Sequence, residues 1–171
     1  KSIKIDKSDS ILCTKHRKGH FEGVLNIMNR LLYLIRSKYV FMGEKDFQQL
    51  YMIKKYLSKK YNISIVNCKT VRDNNQIALS TRNNLLSKNK YSKVVKIVND
   101  FKYLKKRLLF NKNYLKINLS KIKNDVEKKY KIKIDYLEIR EEKKLKIPNK
   151  NMNFRLFAAF WIDDVRLIDN Y

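Results

Sequence analysis

The sequence predicts an α/β fold, in which part of a parallel-sheet domain precedes a small α+β domain with an antiparallel sheet. Two observations predict it. Residues 38–69 give a short apolar run, a helical run and a β-branched run, the pattern of a strand–helix–strand unit with parallel strands. Residues 91–171 give helical stripes followed by alternating segments, the pattern of helices beside antiparallel strands. We place the boundary near residues 71–76 and assign residues 1–72 and 73–171 to the two domains.

In the first domain we predict three strands and two helices. Apolar and polar residues alternate in KSIKID, which predicts a strand at residues 1–6. Apolar residues at three- and four-residue spacing then predict an amphipathic helix of about four turns, with Phe21, Val24, Leu25, Met28, Leu31, Leu32 and Ile35 on one face. Buried strands are expected at residues 38–42 and 63–69. The helix between them has an apolar face interrupted by Lys54 and formed by Phe47, Leu50, Leu57 and Tyr61.

In the second domain we predict two helices followed by three strands. A long helical stripe comprises Tyr91, Val94, Val95, Val98, Phe101, Leu104 and Leu108. A second helix carries Leu119, Ile122 and Val126 and ends near Tyr130. KIKIDYLEIRE alternates as a strand does, and NFRLFAAFWI and DVRLIDN form a predicted hairpin joined around Asp163 and Asp164.

The net charge of +24 is the most unusual feature of the composition. A strongly basic chain suggests a nucleic-acid partner. However, its 40 Lys and Arg residues are scattered over nearly the whole length, beside abundant Asn, Ile and Tyr, as coding DNA rich in A and T would produce. We therefore expect no specific nucleic acid. The alternative, a basic nucleic-acid-binding module, predicts polynucleotide binding that falls steeply with salt.

The sequence also restricts the compartment. No apolar run approaches the roughly 20 residues of a membrane span, and the charged start KSIKIDKSDS is unlike a signal peptide. Cys13 and Cys68 supply neither a disulfide framework nor the spacing of metal ligands. We expect a cytoplasmic protein with no membrane partner. Because the chain begins with Lys1 and not with methionine, we expect it to be a piece of something longer.

A first candidate site is GEKD, directly after the strand at residues 38–42. Ligands of open parallel sheets bind beyond the carboxyl ends of the strands. Gly43 lets a ligand approach the backbone, Lys45 adds a positive charge, and Asp46 accepts hydrogen bonds from sugar hydroxyls. Gln49 lies one helical turn beyond Asp46 and suits a small polar substrate. The alternative is a helix start whose charges are merely solvated.

A second candidate site is LSTRNN, where Ser80, Thr81 and Arg82 supply two hydroxyls and a guanidinium in three consecutive residues. Phosphate oxygens accept from all of these groups, through charge-assisted bonds in the case of arginine. The alternative is an ordinary Ser/Thr helix cap. The histidines His16 and His20 lie four residues apart, but the sequence places no further metal ligand nearby, so no metal site is assigned.

Four motifs together resemble a known family. RKGHFEGV, FMGEKDFQQL, VRDNNQIALSTRN and the terminal RLIDN occur in the same order and at similar spacing in the pantothenate synthetases (pantoate–β-alanine ligases). The resemblance runs from about Arg17 to the C-terminus, with little contribution from residues 84–150. GEKDFQQ and LSTRN are its specific parts.

The resemblance implies a Rossmann-like nucleotide-binding domain, whose C-terminal part is here residues 1–72, and a C-terminal lid domain at residues 73–171. Such enzymes are usually homodimers and use ATP and Mg²⁺ to join pantoate to β-alanine on the route to coenzyme A. The carboxylate of pantoate attacks the α-phosphate to give pantoyl adenylate and pyrophosphate. The amine of β-alanine then displaces AMP.

The resemblance also assigns residues. The ATP site would comprise Gly43, Glu44, Lys45, Asp46, Val71, Leu79, Ser80, Thr81 and Arg82. Lys45 and the Ser80–Arg82 triplet would be catalytic because they lie at the phosphates. The backbone of Gly43 and the carboxylate of Asp46 would lie near the ribose, Val71 would contact adenine, and Gln49 would hold pantoate. No metal-ligating residue is assigned.

The chain departs from the family pattern at several positions. The family usually has SSR where this chain has Ser80, Thr81 and Arg82, and the hydroxyl is kept. A glycine is usual at the position of Gln76, so we expect a stiffer or re-routed loop there. Lys18 stands in place of proline and Glu22 in place of arginine, and we therefore assign no site role to RKGHFEGV.

The largest departure is upstream. In the family, three features lie upstream of the part that this chain resembles: the first strand, a histidine loop and a pantoate-binding glutamine. We therefore expect roughly a hundred residues, about half of a doubly wound domain, to be absent. We predict that this chain alone cannot catalyse adenylation. An inactive remnant, or a subunit that needs its N-terminal half in trans, remains an alternative to the complete ligase.

Overall fold

The computed structural model describes residues 3–110, 114–149 and 152–171. The chain divides into two compact units, Lys1–Thr70 and Val71–Tyr171. Within the described residues, no helix combines the length and the apolar character that crossing a membrane requires.

The first unit is built on two parallel strands. Strand β1 (Tyr39–Gly43) pairs with β2 (Ser64–Cys68), from Tyr39 opposite Ser64 to Gly43 opposite Cys68. A 3₁₀ turn (Glu44–Asp46) and helix α3 (Phe47–Tyr61) connect them. The predicted strand–helix–strand unit with parallel strands is therefore confirmed.

Two further helices precede β1. Helix α1 (Leu12–His16) is short, and helix α2 (His20–Ile35) has the length that the apolar spacing predicted. Helix α2 packs against α3 and buries three of its predicted apolar residues, Phe21, Leu25 and Leu32. Fully burying such a side chain contributes roughly 1.5–3 kcal/mol, so each of the three stabilises the unit.

The predicted strand at residues 1–6 is wrong for residues 3–6, which form no strand; residues 1 and 2 lie outside the described residues. The backbone donors of this segment bind side chains instead of a neighbouring strand. The N–H of Ile3 donates to Asn26 Oδ1 (3.0 Å), and the N–H of Asp6 donates to the hydroxyl of Tyr56 (2.8 Å). The alternating pattern therefore reflects attachment to α2 and α3 and not a sheet.

A buried carboxylate holds the same segment against α3. Asp9 is 3% exposed and accepts hydrogen bonds from Lys55 Nζ (2.7 Å) and the hydroxyl of Tyr56 (2.6 Å). Burial raises the pKa of Tyr56 to about 12, against a hydrogen bond to the backbone of Asp6 that acts in the opposite direction. The hydroxyl therefore stays protonated and donates to Asp9 over the whole physiological range.

The strands at residues 38–42 and 63–69 are confirmed, but the prediction that they are buried is wrong. In β1, Tyr39 is 52% and Phe41 is 69% exposed, whereas Val40 and Met42 are half-buried. Successive side chains of a strand point to opposite faces, and α3 packs against these strands. The apolar run predicted two covered faces, as parallel sheets usually have, yet the alternating burial corresponds to cover on one face.

The second unit contains an antiparallel sheet covered by two helices. Strands β3 (Lys133–Glu141), β4 (Phe154–Ile162) and β5 (Val165–Asn170) lie in the order β3-β4-β5. Helices α4 (Lys88–Phe110) and α5 (Leu119–Tyr130) precede them. The hairpin turns at Asp163 and Asp164, with Asp163 at φ 50°, as two-residue hairpin turns favour. The predicted helices, strands and hairpin are thus confirmed.

The core of the second unit joins the long helix to the central strand. Phe101 of α4 meets Phe160 of β4 edge-on, with ring centroids 5.8 Å apart. The surrounding core includes Val94, Ile97, Val98, Leu104, Leu108, Ile134, Leu137, Leu156, Ala158 and Ile162. The apolar stripe of α4 that the sequence predicted is therefore the side of the helix that faces the sheet.

One lysine of α4 is half-buried at the edge of this core. Lys105 Nζ lies 3.8 Å from the ring centroid of Phe154 and donates to the carbonyl oxygen of the same residue. Burial lowers the pKa of Lys105 to about 8; Glu142 acts in the opposite direction and Arg155 lowers it further. The charged form is therefore disfavoured in the folded chain.

We expect Lys105→Met to stabilise the chain at neutral pH by about 1–2 kcal/mol after allowance for solvent screening. Folding lowers the pKa of Lys105 from 10.5 to about 8, so between pH 8 and 10.5 the unfolded chain binds more protons than the folded chain. The free energy of unfolding of the unsubstituted protein therefore rises with pH over this range. The gain from Lys105→Met should therefore shrink as the pH rises from 8 to 10.5. Urea unfolding at several pH values measures it, with the exposed Lys106→Met as control. A gain that does not change with pH would contradict the assignment.

Candidate functional site

The first group of predicted site residues lies at the carboxyl end of strand β1. Gly43 is the last residue of that strand and sits opposite Cys68, the last residue of β2. Glu44, Lys45 and Asp46 form the 3₁₀ turn that leads into α3. The predicted position beyond the ends of two parallel strands is therefore confirmed, and ligands of parallel sheets bind at this position.

Gly43 is not required by its own surroundings. Its backbone has φ −69° and ψ 131°, a conformation that any residue adopts. A Cβ built on Gly43 would meet no heavy atom of the described residues within 4 Å, apart from Gly43 and its two neighbours in the chain. The described residues therefore give no steric or conformational reason for a glycine here, and Gly23 within α2 has equally open space.

The charged residues after Gly43 are held near one another. Lys45 Nζ lies 3.9 Å from Asp46 Oδ1, and the Lys45 side chain is 17% exposed. Glu44 Oε1 accepts a hydrogen bond of 3.5 Å from Asn67 Nδ2. Asp46 begins α3 without a side-chain capping bond, and its side chain is 50% exposed. Its carboxylate therefore remains accessible to donors from solution, as a ribose site requires.

The two glutamines of GEKDFQQ have different environments. Gln48 is 7% exposed. Its Nε2 donates to the carbonyl of Ile11 (2.8 Å) and to Thr14 Oγ1 (2.9 Å), while its Oε1 accepts from the N–H of Cys13 (2.9 Å). Gln48 thus attaches α1 to α3 and is structural. Gln49 is half-buried, and its role toward pantoate stays a prediction.

A polar pair that the sequence analysis did not assign lies at the start of α2. Arg17 Nη1 and His20 Nε2 are 2.8 Å apart. A guanidinium beside a helix start suits a carboxylate or a phosphate. Glu22 and Lys18 depart from the family in this segment, and for that reason no role was predicted for it. Within the described residues, no group of three or more His, Cys, Asp or Glu side chains forms a metal site.

The second group of predicted residues lies in the second unit. The N–H of Leu79 donates to the carbonyl of Val71 (3.0 Å), and Arg72 and Ala78 form the adjacent bridge. Val71 is 67% and Leu79 is 53% exposed. The structure therefore brings these two predicted residues together, and their exposed apolar side chains suit the face of a nucleobase.

Ser80 caps the turn that carries Thr81 and Arg82. Its Oγ accepts a hydrogen bond of 3.3 Å from the N–H of Arg82, at the start of a 3₁₀ turn (Thr81–Leu85). The alternative interpretation of Ser80 as a cap is therefore correct, and it does not exclude a contact with phosphate. Thr81 and Arg82 are exposed, and no carboxylate of the described residues forms an ion pair with Arg82.

The loop before this turn contains Gln76 in a conformation that favours glycine. Asp73 Oδ1 accepts from the N–H groups of Asn75 (2.9 Å) and Ile77 (3.0 Å) and so closes the loop. Gln76 then has φ 66°, in the left-handed region. The left-handed region costs a residue with a Cβ about 1–2 kcal/mol, which explains physically why glycine would be favoured at this position.

We expect Gln76→Gly to stabilise the second unit by about 0.5–1 kcal/mol, measured by thermal unfolding. The gain is reduced by the loss of the exposed hydrogen bond from Lys102 Nζ to Gln76 Oε1 (3.0 Å). Asn74→Gly is the control, because Asn74 lies in the same loop without a positive φ and glycine should there be neutral or destabilising. Equal effects of the two changes would contradict the explanation.

The motifs VRDNNQ and RLIDN are joined by an ion pair whose carboxylate is buried and whose guanidinium is largely buried. Arg72 Nη1 and Nη2 donate to Asp169 Oδ2 (2.7 Å) and Oδ1 (2.8 Å), and Nη2 also donates to the carbonyl of Asn170 (3.1 Å). The side chains are 18% and 5% exposed. This bidentate ion pair fixes the loop before Leu79 to the last strand.

A family model described as pantoate-beta-alanine ligase matches residues 1–171. The chain belongs to this family. The resemblance that four short motifs suggested is therefore confirmed over the whole chain.

The relatives among curated proteins are longer than the chain. A pantothenate synthetase from Flavobacterium psychrophilum is 35% identical over 99% of this chain and 61% of its own length. A bifunctional pantoate ligase/cytidylate kinase from Prochlorococcus marinus is 38% identical over 94% of this chain and 31% of its own length. The chain thus spans less than two thirds of the pantoate ligases that it matches.

Solved structures of the family share the fold. A pantoate-beta-alanine ligase from Francisella tularensis, complexed with beta-gamma ATP and beta-alanine, has a TM-score of 0.75 and 30% identity. The match covers 100% of this chain and 57% of the Francisella tularensis chain. A pantothenate synthetase from Thermus thermophilus has a TM-score of 0.80 at 23% identity, which supports the fold alone. The predicted fold class is confirmed.

The site residues predicted for this chain fall into two groups. Gly43, Glu44, Lys45, Asp46 and Gln49 lie in the first unit, whereas Val71, Leu79, Ser80, Thr81 and Arg82 lie in the second. Within each unit, the residues of the group lie close to one another. Their joint use for a single nucleotide stays a prediction.

Proposed function

We propose that the chain provides the ATP- and pantoate-binding part of an ATP-dependent ligase that condenses pantoate with β-alanine to pantothenate. The observation that carries the proposal is Gly43, a glycine without steric or conformational need for it, at the carboxyl end of a parallel strand and followed by Lys45 and Asp46. Membership of the pantoate–β-alanine ligase family supports the substrate assignment. The Francisella tularensis relative complexed with beta-gamma ATP and beta-alanine supports two of the three substrates.

The proposed reaction has two steps. A carboxylate oxygen of pantoate attacks the α-phosphorus of ATP; the new P–O bond forms as the bond to pyrophosphate breaks, giving pantoyl adenylate. The neutral amine of β-alanine then attacks the acyl carbon, the C–O bond to AMP breaks, and the amine's proton passes to solvent. These steps need little acid–base catalysis, so positioning and charge neutralisation supply most of the acceleration.

Most of the predicted residues have a role that their environment supports. The backbone of Gly43 and the half-exposed Asp46 carboxylate contact the ribose, and Lys45 neutralises the developing charge on the phosphates. Val71 contacts the base with its exposed apolar side chain, and Leu79 belongs to the segment that closes over the phosphates. Thr81 and Arg82, on a turn capped by Ser80, bind phosphate oxygens. Gln49 holds pantoate.

The residues present suit Mg²⁺ only as an ion that arrives with the nucleotide. Mg²⁺ commonly binds through one or two carboxylates together with substrate phosphates and water. Glu44 and Asp46 are the carboxylates in the first group, and no group of three or more ligands occurs in the described residues. Magnesium would screen the phosphate charge of the nucleotide.

We further propose that the active protein is a cytoplasmic homodimer and that this chain alone does not form the adenylate. Exposed apolar side chains on α2 support association with another protein surface; Ile27 is 64%, Leu34 is 65% and Ile35 is 68% exposed. The relatives extend well beyond the part that this chain matches.

A chimera tests the proposal. Residues 1–171 would replace the matching part of the Flavobacterium psychrophilum pantothenate synthetase, and pantothenate formation from ATP, pantoate and β-alanine would be measured. We expect turnover, and we expect Gly43→Ala to weaken ATP binding about tenfold or more without lowering the unfolding temperature of the chain. A folded chimera without turnover, or Gly43→Ala with unchanged ATP binding, would refute the proposed site.

A further inference from the structure

A groove on the second unit contains none of the residues of the proposed ligase site. Its volume is about 570 Å³, and it is lined by Glu127, Lys131, Ile132, Lys133, Trp161 and Asp163. The lining comes from the end of α5, the start of β3 and the tip of the β4–β5 hairpin. An indole and two ammonium groups therefore border one open space.

The indole of Trp161 is held in a fixed orientation. The register of β3 against β4 shifts between Ile134 and Tyr136, so that Asp135 is an extra residue in β3. Asp135 Oδ1 accepts from Trp161 Nε1 (2.9 Å), and its Oδ2 accepts from Arg166 Nε (2.7 Å). The Asp135 and Arg166 side chains are 6% and 13% exposed. A buried carboxylate thus anchors the edge of the indole, while Trp161 itself is half-buried and lines the groove.

The two carboxylates of the groove are already engaged. Glu127 Oε1 accepts from the N–H of Ile134 (2.7 Å), and Asp163 Oδ2 pairs with Lys90 Nζ (2.6 Å). The hydrogen bond between Lys90 and Asp163 raises the pKa of the amine and lowers that of the carboxyl, so both remain charged near neutral pH.

The two lysines of the lining are available by contrast. Lys131 and Lys133 are exposed, and no carboxylate of the described residues forms an ion pair with either. Lys131 directly follows α5 with φ 50°, and Lys133 begins β3 opposite Trp161. When Lys90 is counted with its partner Asp163, three ammonium groups and two carboxylates border the groove, and this excess of positive charge favours an anion that also has an aromatic ring.

We propose that this groove binds a nucleoside monophosphate, with the base against the indole of Trp161 and the phosphate at the ammonium groups of Lys131 and Lys133. Bases stack on aromatic side chains with little dependence on sequence, and ammonium groups bind phosphate through charge-assisted hydrogen bonds. The site lies beyond the proposed ligase function, since none of its residues belongs to the Gly43–Asp46 or Leu79–Arg82 groups.

Tryptophan fluorescence, excited at wavelengths that the 11 tyrosines do not absorb, reports on this groove, because Trp161 is the only tryptophan of the sequence. Titration of the chain with AMP is expected to quench Trp161 fluorescence to saturation. The double change Lys131→Glu/Lys133→Glu should weaken that binding about tenfold or more. Lys121→Glu/Lys123→Glu is the matched control, with the same charge change and spacing on the preceding helix, and should change the affinity by less than about threefold at moderate salt.

Further titrations separate this site from its alternatives. Quenching should persist in Lys45→Ala/Arg82→Ala, which removes cations of the proposed ATP site, so failure of either proposal is seen independently. Adenosine should bind more weakly than AMP. Absence of saturable quenching, or equal losses in the two lysine pairs, would overturn the proposal. A short single-stranded RNA that displaces AMP at far lower concentration would also overturn it, in favour of a strand-binding surface.

Discussion

In the chimera with the Flavobacterium psychrophilum enzyme, Lys45→Ala is expected to lower the rate of pantoyl-adenylate formation about 10²–10³-fold. Lys45 follows closely on the glycine at the end of β1, and its side chain is only 17% exposed, so its ammonium group is partly shielded from water. Charge neutralisation there acts on the phosphates as pyrophosphate leaves, which makes the effect larger in the transition state than in the bound state. Pantoate-dependent exchange of pyrophosphate into ATP measures this step.

Two measurements make the Lys45 result specific. Lys54→Ala removes an exposed lysine from α3 and should leave the exchange rate within about twofold of the parent, because a distant, exposed charge is screened. The KM for ATP should change less than kcat if Lys45 acts mainly in the transition state. Unchanged exchange in a folded Lys45→Ala protein would remove Lys45 from the mechanism.

Asp169→Ala is expected to destabilise the second unit by about 3 kcal/mol, the second large effect. The change leaves the guanidinium of Arg72 largely buried without its carboxylate, and the backbone carbonyl of Asn170 compensates only partly. The same pair holds the loop that carries Leu79 and the turn at Arg82. Urea unfolding of the chain, followed by circular dichroism, measures the loss.

The double change Arg72→Met/Asp169→Leu tests the reason for that loss. Replacing both members of a buried ion pair by apolar residues is often nearly neutral, so we expect most of the stability to return. Asp164→Ala, at the exposed hairpin turn, is the matched single change and should cost less than about 0.5 kcal/mol. A double variant as unstable as Asp169→Ala would show that the pair is not what the single change disrupts.

The sequence predicted most elements because their apolar spacing matches the faces that are buried. The stripe of α4 and the alternation in β3 both correspond to the core of the second unit, where a helix and a sheet bury one side each. The pattern failed at residues 3–6, where donors bind Asn26 and Tyr56 in place of a strand. Periodicity describes side-chain direction and does not say which partner takes the backbone hydrogen bonds.

Among the site residues, short motifs predicted position better than partners. GEKD was correctly placed at the end of β1, and LSTRN correctly supplied a capped turn. The structural role of Gln48 was missed, because its partners, Ile11, Cys13 and Thr14, lie more than thirty residues away in the sequence. The same distance problem hid the pair Arg72–Asp169, although both residues were in motifs that carried the family resemblance.

The sequence by itself determined the family, the order of helices and strands from α2 onward, and the polar residues that follow β1, because local spacing and short motifs encode these properties. Only the tertiary structure decided that Gly43 has open space where a Cβ would be, that Gln76 is left-handed, and that Asp135 fixes Trp161 beside two lysines. The contact of Asp135 with Trp161 joins residues 26 apart in the sequence, and the other two properties depend on backbone conformation and empty space; none of the three leaves a periodic signal in the sequence.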